Sequence, residues 1–138
     1  MQNPIRLTFG RLCLILPFIF NIISCTKPHE PSVTYFIVRV DSISIPDSIP
    51  QADTLRIKLY GTVGNSGAYA FDRFEAARDS HRLNLTVWGR YTDNDYATQQ
   101  IVELRGKEYQ VAPLYQGRFS VNVRQPDSTF LRDSLLVF

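Results

Sequence analysis

The residues that could do chemistry in this chain are few. There are two cysteines, Cys13 and Cys25, and two histidines, His29 and His81. A zinc site needs three or four converging ligands, and neither histidine has a partner at a useful spacing. No metal and no other cofactor is therefore expected. A Gly-x-Ser-x-Gly nucleophile elbow is absent, since Gly64-Asn65-Ser66-Gly67 is one residue too short. Ser66, His81 and Asp79 supply the three residue types of a nucleophilic triad, but nothing in their spacing brings them together. Asp93-Asn94-Asp95 offers three oxygen-bearing side chains. Calcium loops use alternate residues, and adjacent side chains diverge, so this run reads as a turn held by Asx contacts. The expectation is a protein that is not an enzyme.

One group of residues suggests binding instead. In the run Leu83 to Arg90, Leu83, Leu85 and Val87 alternate with Asn84, Thr86 and Trp88. Period two is the spacing of a half-buried strand. It turns Trp88 outward, beside Arg90. An outward indole next to a guanidinium can form a stacking platform for a sugar or a partner protein. Tyr60 occupies the outward phase of another strand and is the third member of this candidate surface. A long side chain that merely covers its own sheet would give the same pattern.

The elements that carry these residues are strands. Leu55, Ile57 and Leu59 alternate with Arg56, Lys58 and Tyr60, and Phe119, Val121 and Val123 with polar neighbours. Weaker alternation runs through Phe36, Val38 and Val40 and through Tyr109 and Val111. Residues 69–76, 98–105 and 135–138 complete the set, with a short helix possible at Phe74 to Arg78 because Phe71 and Phe74 are three apart. Turns are placed at Gly64 to Gly67 and at residues 93–95, and hairpin-like turns at Arg105-Gly106-Lys107 and Gln116-Gly117. Between Val40 and Thr54 the apolar phase inverts: Ile43 and Ile45 fall opposite to Val40, and Pro46 and Pro50 block continuous pairing. A first strand that starts on one sheet and continues on the other would do this. The fold class expected is all-β, an immunoglobulin-like β-sandwich of about seven or eight strands over residues 33–138. Phe138 reads as core or edge packing.

The first 24 residues differ in kind. Arg6 and Arg11 precede an apolar stretch from Leu12 to Ile23, and Ser24 precedes Cys25. This is the three-part pattern of a secretory signal peptide. Twelve apolar residues interrupted by Pro17 and Asn21 fall short of the roughly 20 that span a bilayer. Ile22-Ile23-Ser24-Cys25 resembles the lipobox of bacterial lipoproteins, with Ile22 where that family prefers Leu. The resemblance implies cleavage before Cys25 and a diacylglycerol on its sulfur, with further acylation, such as palmitate, of the new amino terminus. The absence of Asp after the cysteine favours the outer membrane. Residues 25–32 then form a lipidated tether, whose seven residues after Cys25 reach at most about 25 Å. The leader, the Ser-Ile-x-x-Pro-Asp run ending at Asp47 and the Tyr-x-Phe-x-x-Phe run from Tyr69 to Phe74 also resemble small uncharacterised lipoproteins of Bacteroidetes-type bacteria.

Cleavage at Cys25 changes the bulk properties. The net charge of +2 comes from 15 basic and 13 acidic residues. Loss of Arg6 and Arg11 leaves a neutral domain, which argues against nucleic acid as a partner. Cys13 leaves with the leader, so no disulfide remains. The sequence thus points to a lipid-anchored envelope module that binds a protein or structures its surroundings. The alternatives are a glycan-binding accessory protein of a polysaccharide uptake system and, last, a small envelope hydrolase.

Overall fold

The computed structural model describes residues 30–93, 98–112 and 114–138. The leader, Cys25, His29, Asn94 and Asp95 lie outside them. Eleven strands are present and, among the described residues, no helix: β1 (Val33–Ile37), β2 (Ser42–Ser44), β3 (Ser48–Ile49), β4 (Leu55–Tyr60), β5 (Thr62–Ser66), β6 (Tyr69–Arg78), β7 (Arg82–Thr92), β8 (Gln99–Glu103), β9 (Lys107–Val111), β10 (Gly117–Arg124) and β11 (Phe130–Val137). The all-β expectation holds. The count exceeds the expected seven or eight because the 42–49 segment forms two short strands and because β5 occupies a predicted turn.

The larger sheet runs β1-β7-β10-β11-β3, with β6 on the far side of β7. The second layer is β2-β4-β9, and β5-β8 extends it. At that joint two residues of one strand face three of the other, between the pairs Leu59–Lys107 and Thr62–Glu103. Leu104 N–H donates to Gly61 and Gly106 N–H to Leu59, so the ribbon is continuous through a bulge. Arg105 and Gly106 have φ of +49° and +74°. They make a tight turn, but not a hairpin: β8 and β9 pair with β5 and β4, not with each other.

The core is the space between the layers. Leu55, Ile57 and Leu59 of one layer and Leu83, Leu85, Val87, Phe119, Val121 and Val123 of the other are essentially inaccessible to solvent. These are the inward phases of the alternating runs, so period two assigned them correctly. Burying such side chains contributes about 1.5–3 kcal/mol each.

The first strand changes layer, as the inverted phase suggested. β1 pairs antiparallel with the end of β7, from Val33–Thr92 to Ile37–Trp88. β10 pairs parallel with the start of the same strand, from Ser120–Arg82 to Val123–Leu85. The two therefore meet end to end along one edge of β7. β1 cannot continue there, and the chain crosses to pair Ile43 with Leu59 in the second layer. It then returns so that Ile49 pairs with Val137. Gln125, a buried polar side chain, closes the junction: its Oε1 accepts from Val40 N–H at 3.1 Å, and its Nε2 donates to Val123 O at 3.4 Å.

Three local expectations need correction. Gly64 to Gly67 is not a turn; β5 runs to Ser66, and the turn is Gly67-Ala68. Gly64 serves close packing, since a Cβ there would lie 2.1 Å from the Tyr69 ring. Phe74 to Arg78 is strand rather than helix. A bulge at Asp72 shifts the register between the pairs Phe71–Gly89 and Arg73–Trp88. An extra residue puts both phenylalanines on the inner side, and their rings stand 4.9 Å apart. Phe138 is at the edge only: its side chain is exposed, while its backbone pairs with Ile49 and Gln51.

Candidate functional site

The outward face of the larger sheet is where Trp88 and Arg90 stand. Register arranges it in rows. Tyr35 and Ala70 flank Arg90, and Ile37 and Arg73 flank Trp88. Next come Glu75 with Thr86, then Ala77, Asn84, Asn122 and Arg132. Below them Arg82, Ser120 and Ser134 form a row, followed by Arg118 and Leu136.

Trp88 is half-buried and not a bare platform. The Arg73 guanidinium lies over its ring at 5.3 Å and over the Tyr35 ring at 5.5 Å. The indole N–H donates to Glu75 Oε2 at 2.7 Å. Arg73 also pairs with Asp72 at 2.6 Å. Two aromatic rings thus hold one guanidinium in a fixed place, the arrangement that cation–π attraction favours. The sequence reading missed Arg73, because only the bulge at Asp72 brings it opposite Trp88.

Tyr60 does not join this cluster. It projects from β4 in the other layer, with its hydroxyl near Gly106. On that outer face Arg56 and Glu108 are paired at 3.5 Å. The candidate surface is therefore Trp88 and Arg90 with Tyr35 and Arg73, and Tyr60 is separate.

Below the aromatic cluster the face is flat and polar. Asn122 donates to Asn84 Oδ1 at 2.9 Å, and Arg118 to Ser134 Oγ at 3.2 Å. Glu75, Ala77, Asn84, Thr86, Arg124 and Phe130 border a shallow concavity of about 370 Å³. Small side chains form its floor, and Arg124 and Phe130 one wall.

The other chemistry-bearing residues do not converge. Asp79 accepts from the backbone N–H of His81 at 3.0 Å, and His81 Nε2 lies 3.3 Å from the Gln116 carbonyl. Ser66 belongs to β5, paired with Gln99 of β8. Among the described residues, no three histidine, cysteine or acidic side chains are grouped to hold a metal ion. None of the described helices is long and apolar enough to cross a membrane, there being none at all among those residues. Compared with family models, with curated proteins and with solved structures, the chain matches none.

Proposed function

We propose that this protein is a lipid-anchored, non-enzymatic interaction module of the cell envelope, held at the outer membrane by acylation of Cys25. The observation that carries the reading is the cysteine placed directly after Ile22-Ile23-Ser24 and the apolar stretch. It is supported by how soon the folded domain follows: β1 begins at Val33. One acyl chain gives reversible attachment, and two or three hold firmly. The immunoglobulin-like description of the sandwich belongs to this reading too. The outer face of the larger sheet, with Trp88 and Arg90, is the surface offered for binding. Mass spectrometry of the mature amino terminus is the test. A Cys25 amino terminus carrying diacylglycerol is expected; an intact leader or an unmodified Cys25 sinks the reading.

A glycan-binding role is the second reading, and one observation favours it. The Asn84–Asn122 amide pair and the neighbouring Thr86 and Ser120 offer both donors and acceptors on a flat floor, as sugar hydroxyls require. A glycan array decides: no sugar retained at millimolar concentration removes it.

A further inference from the structure

We infer that the outer face of the larger sheet docks flat onto an anionic phospholipid surface, that of the membrane to which the chain is tethered. The inference rests on the lipid-anchor reading of Cys25 and adds to it an orientation. Three observations converge.

The first is charge. Arg73, Arg82, Arg90, Arg118, Arg124 and Arg132 all project from this one face, and all are exposed. The carboxylates nearest them are fewer: Glu75 on the face itself, Asp72 at the bulge, Asp79 opposite Arg82 and Asp133 beside Arg132. A chain that is neutral beyond its leader therefore has one cationic side. The guanidinium groups of Arg82, Arg90 and Arg124 form no hydrogen bond or ion pair with any described residue. Guanidinium groups bind phosphate through paired N–H donors.

The second is the company the arginines keep. Four exposed apolar side chains, Val33, Tyr35, Phe130 and Leu136, stand on the same face, as does the half-buried Trp88. Interleaved aromatic and basic residues match the headgroup level of a bilayer, where indole and phenol rings place an apolar body beside a polar edge. A protein partner calls for an apolar centre, but the centre here is Asn84, Thr86, Asn122 and Ser120. Bases of a nucleic acid call for free ring faces, and Tyr35 and Trp88 already share Arg73.

The third is where the tether joins. Val33 pairs with Thr92, at the same end of the sheet as Tyr35, Arg90 and Trp88. Seven residues lie between it and Cys25, and the eight Cα steps set a reach of less than about 30 Å. An acylated Cys25 thus holds this end of the face beside the headgroups.

Trp88 is the sole tryptophan of the chain, so its fluorescence reports on this face alone. The mature protein, purified in detergent, is reconstituted on vesicles of phosphatidylcholine or of phosphatidylcholine with phosphatidylglycerol. Flotation with the neutral vesicles reads the anchor, and aqueous acrylamide quenching of Trp88 reads the docking. Quenching is expected to fall about twofold on anionic vesicles, as for an indole moved from water to the interface. It should return to the neutral-vesicle value in about 0.5 M salt, where charges are screened within a few ångströms. The double variant Arg82→Glu/Arg124→Glu should lose the protection while still floating. Failure to float on neutral vesicles overturns the anchor alone. Unchanged quenching on anionic vesicles overturns the docking alone. Protection by soluble polygalacturonate but not by anionic vesicles assigns the face to an acidic glycan and overturns it as well.

Discussion

The indole N–H of Trp88 donates to the carboxylate of Glu75 across the β6–β7 pair, at 2.7 Å. That bond, and the Arg73 guanidinium on the ring, make Trp88 part of the sheet's structure as well as of its surface. A ligand reaching this site meets a guanidinium already held in place rather than a bare ring.

Trp88→Phe keeps most of the ring and removes the donor. A loss of about 0.5–1.5 kcal/mol is expected, as for a single hydrogen bond. Trp88→Ala also removes the support of Arg73 and should cost more, about 1–3 kcal/mol. Urea unfolding of the two variants checks this. Equal losses would show that the hydrogen bond accounts for the whole effect and the ring for none.

Gln125 holds the junction between β1 and β10, so its replacement should act on the whole fold. Gln125→Leu fills the same space but leaves the Val40 N–H without its acceptor. An unpaired buried donor costs about 1–3 kcal/mol. Equilibrium unfolding measures the loss, and hydrogen exchange at Val40 should rise above that of Val38, whose N–H donates to Val87. Unaltered exchange at Val40 argues that another group takes over.

Two glycines are fixed by aromatic rings. A Cβ on Gly89 would stand 2.6 Å from Phe36 Cζ, and one on Gly64 would stand 2.1 Å from Tyr69 Cγ. Either Gly→Ala change forces a displacement, at about 1–3 kcal/mol. Phe36 and Tyr69 also meet edge to face, with centroids 5.7 Å apart, so both changes strain one cluster. In a double-mutant cycle, Gly64→Ala should cost much less when Tyr69 is already Ala. Additive costs would mean that the Tyr69 ring is not what Gly64 accommodates.

Acid should loosen the β10–β11 connection. The Thr129 hydroxyl and backbone N–H both donate to Asp127 Oδ1, at 2.6 and 3.1 Å. They hold the Asp127 carboxyl below its ordinary value of 3.8. A carboxyl lowered by folding adds stability above the unfolded value and loses it as pH falls through the folded one. Stability should therefore decline below pH 3.8, and Asp127→Asn should make that part of the profile shallower. A profile identical to wild type in this range counts against the assignment.

The core was readable because its signal is local. The alternating runs at 55–59, 83–87 and 119–123 each name their own inward residues. The change of layer near Ile43 was readable too, from the inverted phase and the two prolines. What escaped depended on a partner strand. The spacing of Phe71 and Phe74 suits a helix as well as a bulge, and only pairing with Gly89 and Val87 decides. Gly64 resembles a turn glycine until Tyr69 is seen against it. Trp88 was correctly turned outward, but Arg73 covers it from a strand whose register shifts beforehand. Tyr60 shared the phase of Trp88 without sharing its sheet, and alternation alone cannot tell one sheet from another. Gln125 gave no signal at all, since its partner lies 85 residues away.

The meeting of β1 and β10 along one edge of β7 works as a length gauge. A strand slips by steps of two, because slipping by one turns its side chains inside out. β1 slipping towards β10 would run into Gln125; slipping away would break the bonds at Val38 and Val40 and carry Ser32 past its contact with Asp93 N–H. Both ends of β1 are stops, so the strand that joins the tether has one seating only. Two residues inserted after Val33 would have to bulge out at the tether end, leaving Tyr35 in its place beside Arg90.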